Sequence, residues 1–138
     1  VMTRTTVRRR AWPTCPYRQG VPSGVWAPEE YEKLRKFDGT IAEQAAAGAI
    51  APFYCHTSPR NLCAGWAGHR DPTDLLAGRF GIADDRLDIT CAYYTTDVPL
   101  FRSGAEAADH GLRGIERPDP RAVAAIRKLL DLDPTREC

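Results

Sequence analysis

Two short stretches hold the residues of this chain best suited to chemistry. "FYCHTSPRNLCAGW", Phe53 to Trp66, contains Cys55, His56 and Cys63; "PTCPYR" adds Cys15 upstream, and His69 follows Cys63 by six residues. Thiolates bind zinc and iron–sulfur clusters because sulfur is soft and its charge is matched by the metal. Three cysteines and one histidine fill a zinc tetrahedron, and the same three cysteines with a fourth ligand suit a cluster. Cys63 opens a predicted short helix, where free N–H groups favour a thiolate. His56 directly follows Cys55, and neighbours in extended chain point to opposite sides, so both serve one ion only if the backbone turns there. His69 stands roughly 120° off the face of Cys63 on an ideal helix, which a helix end between them corrects. His69 is therefore preferred to His56 as fourth ligand. Competing readings are small buried thiols, a redox pair, and a nucleophile with its base (Cys55–His56 or Cys63–His69), the last without an evident orienting acid. The chain has no Cys-x-x-Cys pair, which would mark a metal site more strongly. Cys91, in a predicted core segment, reads as a buried inert thiol, and Cys138 as an exposed terminal one.

These side chains need a frame to hold them. A chain of 138 residues, 43% hydrophobic and 27% charged, matches one ordinary globular domain large enough for a real core. The apolar runs are too short for a membrane span. "VMTRTTVRRR" is basic but no hydrophobic region follows, so a secretory signal is not expected. The cytoplasm is then the expected compartment, where a disulfide framework does not form. Charge is uneven: residues 1–28 carry five arginines and no acid, and the remainder carries all 18 acidic groups against 14 basic ones, a net of −4. Arg4, Arg8, Arg9 and Arg10 offer an alternative function, contact with nucleic-acid phosphates, although no basic stripe is expected to continue into the body. The simpler reading is a solvated tail. There is no phosphate-loop motif.

The expected organisation is a disordered basic tail over 1–10, a single globular domain over 11–132 and a frayed end over 133–138. "AWPTCPYRQGVPSGVW" is too rich in proline and glycine for a helix, yet its aromatics predict an ordered loop, with Cys15 as anchor. Helices are predicted in "APEEYEKLRKFDG", with Pro28 first and "DG" as stop; in "DPTDLLAGRFGIA", capped by Asp71, with Leu75, Leu76 and Phe80 inward; and in "DPRAVAAIRKLLDLD", capped by Asp119, with a stripe of Val123, Ile126, Leu129 and Leu130. "SGAEAADHG" shows a Ser103/Glu106 capping box and a Gly111 stop. "TIAEQAAAGAIA" reads as a short helix or a flexible insertion, "CAGWAGH" as a short helix, "PFYC" as a strand, and "DRLDITCAYYT" as extended chain. The fold class is α+β, mostly helical: a single small domain with a long cysteine-bearing N-terminal loop and minor strand content.

The motifs "CPYR…VPSGVW.PEEYEKL", "F.CH", "CAGW.G" and "VPLF.SGAEAA.HGL", in this order from about Trp12 to Leu130, resemble an uncharacterised family of small cysteine-containing proteins from actinobacteria and actinophages. The resemblance implies a cytosolic bacterial or phage protein and supplies no activity. Such relatives often begin with Cys-x-x-Cys-Pro-(Trp/Tyr)-Arg; Cys15 matches the second cysteine, and Trp12 stands where the first would be. The functional expectation is a small cytosolic metal-binding protein rather than an enzyme, with enzymatic activity left open. Cys15, Cys55 and Cys63 with His69 or His56 would hold structural zinc, or second an iron–sulfur cluster. A nucleic-acid-binding accessory protein and a cysteine-dependent enzyme are the alternatives.

Overall fold

The computed structural model describes residues 4–55, 57 and 60–131. The expected frayed end, Cys138 and His56 lie outside the described residues. The fold is mostly helical with minor strand content: α1 (Pro28–Glu32), α2 (Ile41–Ala46), α3 (Ala64–Gly68), α4 (Leu76–Ala83), α5 (Gly104–Arg113) and α6 (Pro120–Leu130), with 3₁₀ turns at Lys33–Phe37, Pro72–Asp74 and Ile89–Tyr93.

Local chemistry starts most of these elements. Pro28 opens α1. Thr40 and Glu43 form a reciprocal capping box that settles "TIAEQAAAGAIA" as a helix rather than an insertion. Ser103 caps α5 and Asp119 caps α6. Tertiary contacts decide the rest. Asp38, beyond the first helical stretch, accepts from Gly104 N at 2.6 Å and Ala105 N at 2.8 Å, giving α5 a second cap from a distant loop. Gln44 is fully buried. Its Nε2 donates to Asp74 O (2.7 Å) and Gly39 O (3.1 Å), and its Oε1 accepts from Leu76 N (3.0 Å), tying α2 to the start of α4.

Four expectations are corrected. The helix begun at Asp71 breaks: Asp71 caps only the 3₁₀ turn Pro72–Asp74, and α4 starts at Leu76, because Leu75 is extended and inserts into the core. "DRLDITCAYYT" is not extended; Asp88 accepts from Thr90 N and Thr90 Oγ1 and folds Ile89–Tyr93 into a 3₁₀ turn. Gly111 does not stop α5, which runs to Arg113; it sits against the Tyr31 ring, where a Cβ would overlap ring atoms. The α6 stripe is only partly covered: Val123 and Leu130 are exposed and Ala122 is the buried contact.

Among the described residues, strand content is reduced to isolated bridges. Leu62 is central, pairing in parallel with Val7 and antiparallel with Tyr54. Thr5 pairs in parallel with Leu87, and Arg18 antiparallel with Leu100. Residues 4–10 therefore do not hang free as the tail reading expected. Arg8 N donates to Leu62 O, Leu62 N to Thr6 O, and Asp88 N to Thr5 O, all at 2.9–3.0 Å. Backbone pairing holds this segment despite its charge, because each such bond satisfies a group that the partner segment would otherwise leave open. The core gathers Tyr17, Tyr31, Leu34, Phe37, Leu62, Trp66, Leu75 and Leu87. Its centre is an edge-to-face chain in which Phe37 meets Trp66 at 5.4 Å and Phe53 at 6.0 Å, and Phe53 meets Tyr17 at 6.4 Å. No described helix is long and apolar enough to cross a membrane.

Candidate thiol site

The loop around Cys15 is ordered by its own turns. Cys15 N donates to Trp12 O (2.8 Å) and Arg18 N to Cys15 O (3.0 Å). The loop is then pinned to the body where Phe101 N donates to Tyr17 O (2.8 Å) and Gln19 N to Pro99 O (3.1 Å). Opposite it, Cys63 N donates to Phe53 O (2.9 Å), which sets Cys63 as the residue that caps α3. Its Sγ accepts from Trp66 N at 3.5 Å.

These two elements bring Cys15 Sγ to 3.5 Å from Cys63 Sγ, with both side chains buried. Gly65 makes the approach possible: a Cβ there would overlap Cys15 Sγ and stand 2.8 Å from Tyr17 Cβ. The two sulfurs are within hydrogen-bonding distance, and either can be the donor. The hydrogen bond from Cys63 lowers the Cys15 pKa; burial opposes this, and the backbone amides of Tyr17, Gly65 and Arg18 reinforce it. Cys63 moves the other way, raised first by its hydrogen bond to Cys15 and then by burial. Of the two thiols, Cys15 is therefore the readier to ionise, and Cys63 the readier to keep its proton. Backbone N–H groups stabilise an anion without adding a counter-charge.

A family model described as a family of unknown function (DUF6283) matches residues 7–129. The chain belongs to that family. No curated protein and no solved structure matches it. In this DUF6283 chain the matched span contains both members of the thiol pair and every other described candidate ligand.

The remaining candidates surround the pair without closing on it. Cys55 is buried, and its Sγ lies 3.3 Å from Thr57 Oγ1. It is near enough for its charge to push the Cys63 thiol up further. His69 is buried and stacks on Tyr17, ring centroids 4.5 Å apart. Its Nδ1 lies 2.5 Å from Trp66 O. A carbonyl only accepts, so Nδ1 carries the proton and Nε2 the lone pair. That Nε2 is buried with no hydrogen-bond partner among the described residues. Burial lowers the His69 pKa to about 4, so the ring is neutral at pH 7. Among the described residues, no three His, Cys, Asp or Glu side chains converge on one ion-sized point. Cys91 is buried elsewhere, with its Sγ 3.5 Å from Thr5 O.

Sequence reasoning missed Tyr17, Gly65, Asp38 and Thr57. Tyr17 is buried with its hydroxyl unpartnered among the described residues, and burial followed by the charge of Cys63 drives its pKa up. The signal available for Gly65 was its position inside "CAGW", two residues after a cysteine at a helix start. Tyr17 and Asp38 had no such local signal. Of the four arginines proposed for nucleic acid, Arg8, Arg9 and Arg10 line one cleft and Arg4 lies outside it. Arg4 pairs with Asp85 at 3.3 Å and Arg10 with Asp97 at 3.1 Å. The Arg8 guanidinium lies 4.6 Å from the Trp12 ring centroid.

Proposed function

We propose that this chain is a small metal-binding protein whose centre is built on the Cys15–Cys63 thiolate pair. The observation that carries the reading is the sulfur–sulfur distance of 3.5 Å. Two thiolates on one tetrahedral zinc, each 2.3 Å from it, stand about 3.8 Å apart. A disulfide would hold them at about 2.0 Å. A buried thiolate is costly unless paired, and a bound metal ion supplies that partner. Cys55 is the third ligand in this reading, leaving Thr57 to reach the ion. His69 is the fourth, through the lone pair on its unpartnered Nε2, with His56 as its competitor. Structural zinc comes first because a closed four-ligand site needs no open position, and an iron–sulfur cluster comes second. A cytoplasmic location and an actinobacterial or phage source accompany the reading.

The test is elemental analysis and an absorption spectrum of anaerobically purified protein, with Cys15→Ser and Cys63→Ser beside it. One colourless zinc per chain, lost in both variants, is expected. A brown protein with iron and sulfide would move the centre to a cluster on the same ligands. Metal-free protein that takes up neither zinc nor iron on anaerobic reconstitution would overturn the proposal.

A further inference from the structure

We propose that the face carrying the Cys15 loop is a binding surface for single-stranded nucleic acid. The N-terminal arginines alone do not make this surface. Two adjoining clefts do, and they share Pro13 and Arg18. One, of about 590 Å³, is lined by Arg8, Arg9, Arg10 and Arg18 together with Trp12. The other, of about 580 Å³, runs between the loop and α6 and adds Arg121 and Lys128. Six cationic side chains from three parts of the sequence thus line two clefts that meet at Pro13 and Arg18. No carboxylate lines either cleft among the described residues.

The placement follows from the fold. Residues 4–10 are laid along the body by the Leu62 and Leu87 bridges, which aligns Arg8–Arg10 beside the Cys15 loop. Arg121 and Lys128 stand two turns apart on one face of α6. Arg121 Nη2 also donates to Gly20 O at 3.0 Å, which fixes that side chain against the loop. Asp97 reaches Arg10 through an exposed ion pair at 3.1 Å, a contact that phosphate competes with easily.

The walls favour unstacked bases over a duplex. The second cleft is faced by Pro13, Pro22, Pro99 and Ala124, apolar surfaces on which flat rings rest. In the first, Trp12 is half-buried and already carries one guanidinium over its ring. Cationic grooves with aromatic platforms bind single strands with little sequence preference.

Fluorescence anisotropy on the whole chain tests this, with an oligo-dT of about 15 nucleotides, the matching duplex, and poly-glutamate as competitor. Four to six phosphate contacts predict a slope of log K against log salt of about −3 to −4, or roughly a 100-fold loss of affinity between 50 and 200 mM salt. Arg18→Glu, at the junction of the clefts, should weaken binding at least tenfold. Arg121→Glu with Lys128→Glu, both on an exposed helical face, should do the same; Lys128→Glu alone, which leaves the Arg121–Gly20 bond in place, should weaken binding in the same direction. Lys36→Glu changes net charge as much as Arg18→Glu but lines neither cleft, and should change little. Trp12→Ala should lower affinity and leave the salt slope unchanged, with melting temperature confirming the fold. Four results would each overturn the proposal: no binding at low salt, tighter binding to the duplex, equal competition by poly-glutamate, or equal loss in Lys36→Glu and Arg18→Glu.

Discussion

Gly65→Ala is the sharpest test of how the thiol pair is held. The added methyl would overlap Cys15 Sγ and sit 2.8 Å from Tyr17 Cβ, so it presses on the N-terminal loop at two points. To regain ordinary contact the sulfur must retreat by on the order of 1 Å. The Cys15–Cys63 separation, now 3.5 Å, then passes beyond hydrogen-bonding range. Overpacking of this kind costs about 1–3 kcal/mol, and the better helix propensity of alanine returns at most about 1 kcal/mol. A net loss of about 1–2 kcal/mol lowers the urea midpoint by roughly 0.5–1 M. Two readouts should move with it: thiol modification of the folded chain should accelerate, and zinc content should fall. Gly68→Ala serves as the control, since its Cβ meets only side chains, Tyr94 Cε2 at 3.0 Å and Thr96 Cγ2 at 3.1 Å, which can shift. If Gly65→Ala keeps the wild-type midpoint, thiol reactivity and metal content, the close approach of Cys15 to α3 is not what holds this site.

Three further outcomes follow from the same geometry. Gln44→Leu leaves Leu76 N and Asp74 O without their partner, whereas Gly39 O keeps its bond from Arg70; a loss of about 2–3 kcal/mol should lower the melting temperature by roughly 5–10 °C and speed amide exchange at Leu76. Asp38→Ala removes two N–H acceptors from the start of α5 and should cost about 1–2 kcal/mol, with Asp38→Asn recovering part of it in urea melts. His69 titrates at about 4 when folded because burial disfavours its cation, and near 6.5 when unfolded. Its stabilising effect is complete above about pH 6.5 and is lost as pH falls toward 4, by on the order of 3 kcal/mol. In metal-free protein, His69→Gln should flatten that part of the pH–stability profile, and an unchanged profile would place the titration elsewhere.

What could be read in the sequence was what is decided within a turn or two. Asp119–Pro120 starts a helix wherever it lies, and Ser103 with Glu106 caps one, so α6 and the start of α5 were legible. The capping box at Thr40 and Glu43 was equally local and would have settled α2. The Asp88–Thr90 turn was hidden by the β-branched and aromatic residues after it, whose preference for extended chain is weaker than two side-chain hydrogen bonds to one carboxylate. Gly111 looked like a stop because glycine usually ends helices; its reason here is the ring of Tyr31, eighty residues away in sequence. The tail misled for a similar cause, since its partners at Leu62 and Leu87 leave no mark near Thr5 or Val7. At the site, the grouping of Cys15 with Cys63 could be anticipated from residue type. The amides that lower the Cys15 pKa, and the ring of Tyr17 under His69, exist only once loop and helix have met.

The bridges that seat residues 4–10 also set an order of events during synthesis. Thr5 and Val7 leave the ribosome long before Leu62 and Leu87, and Cys15 precedes Cys63 by 48 residues. At ordinary translation speeds that interval is several seconds. Throughout it Cys15 is an unpaired thiol on an open loop, and the arginines beside it have no cleft to line. The loop that carries the candidate metal ligand and the basic surface must therefore dock late, onto a body already built. A metal that captures Cys15 early, or a polyanion that captures the arginines early, would act on the nascent chain before it acts on the folded protein.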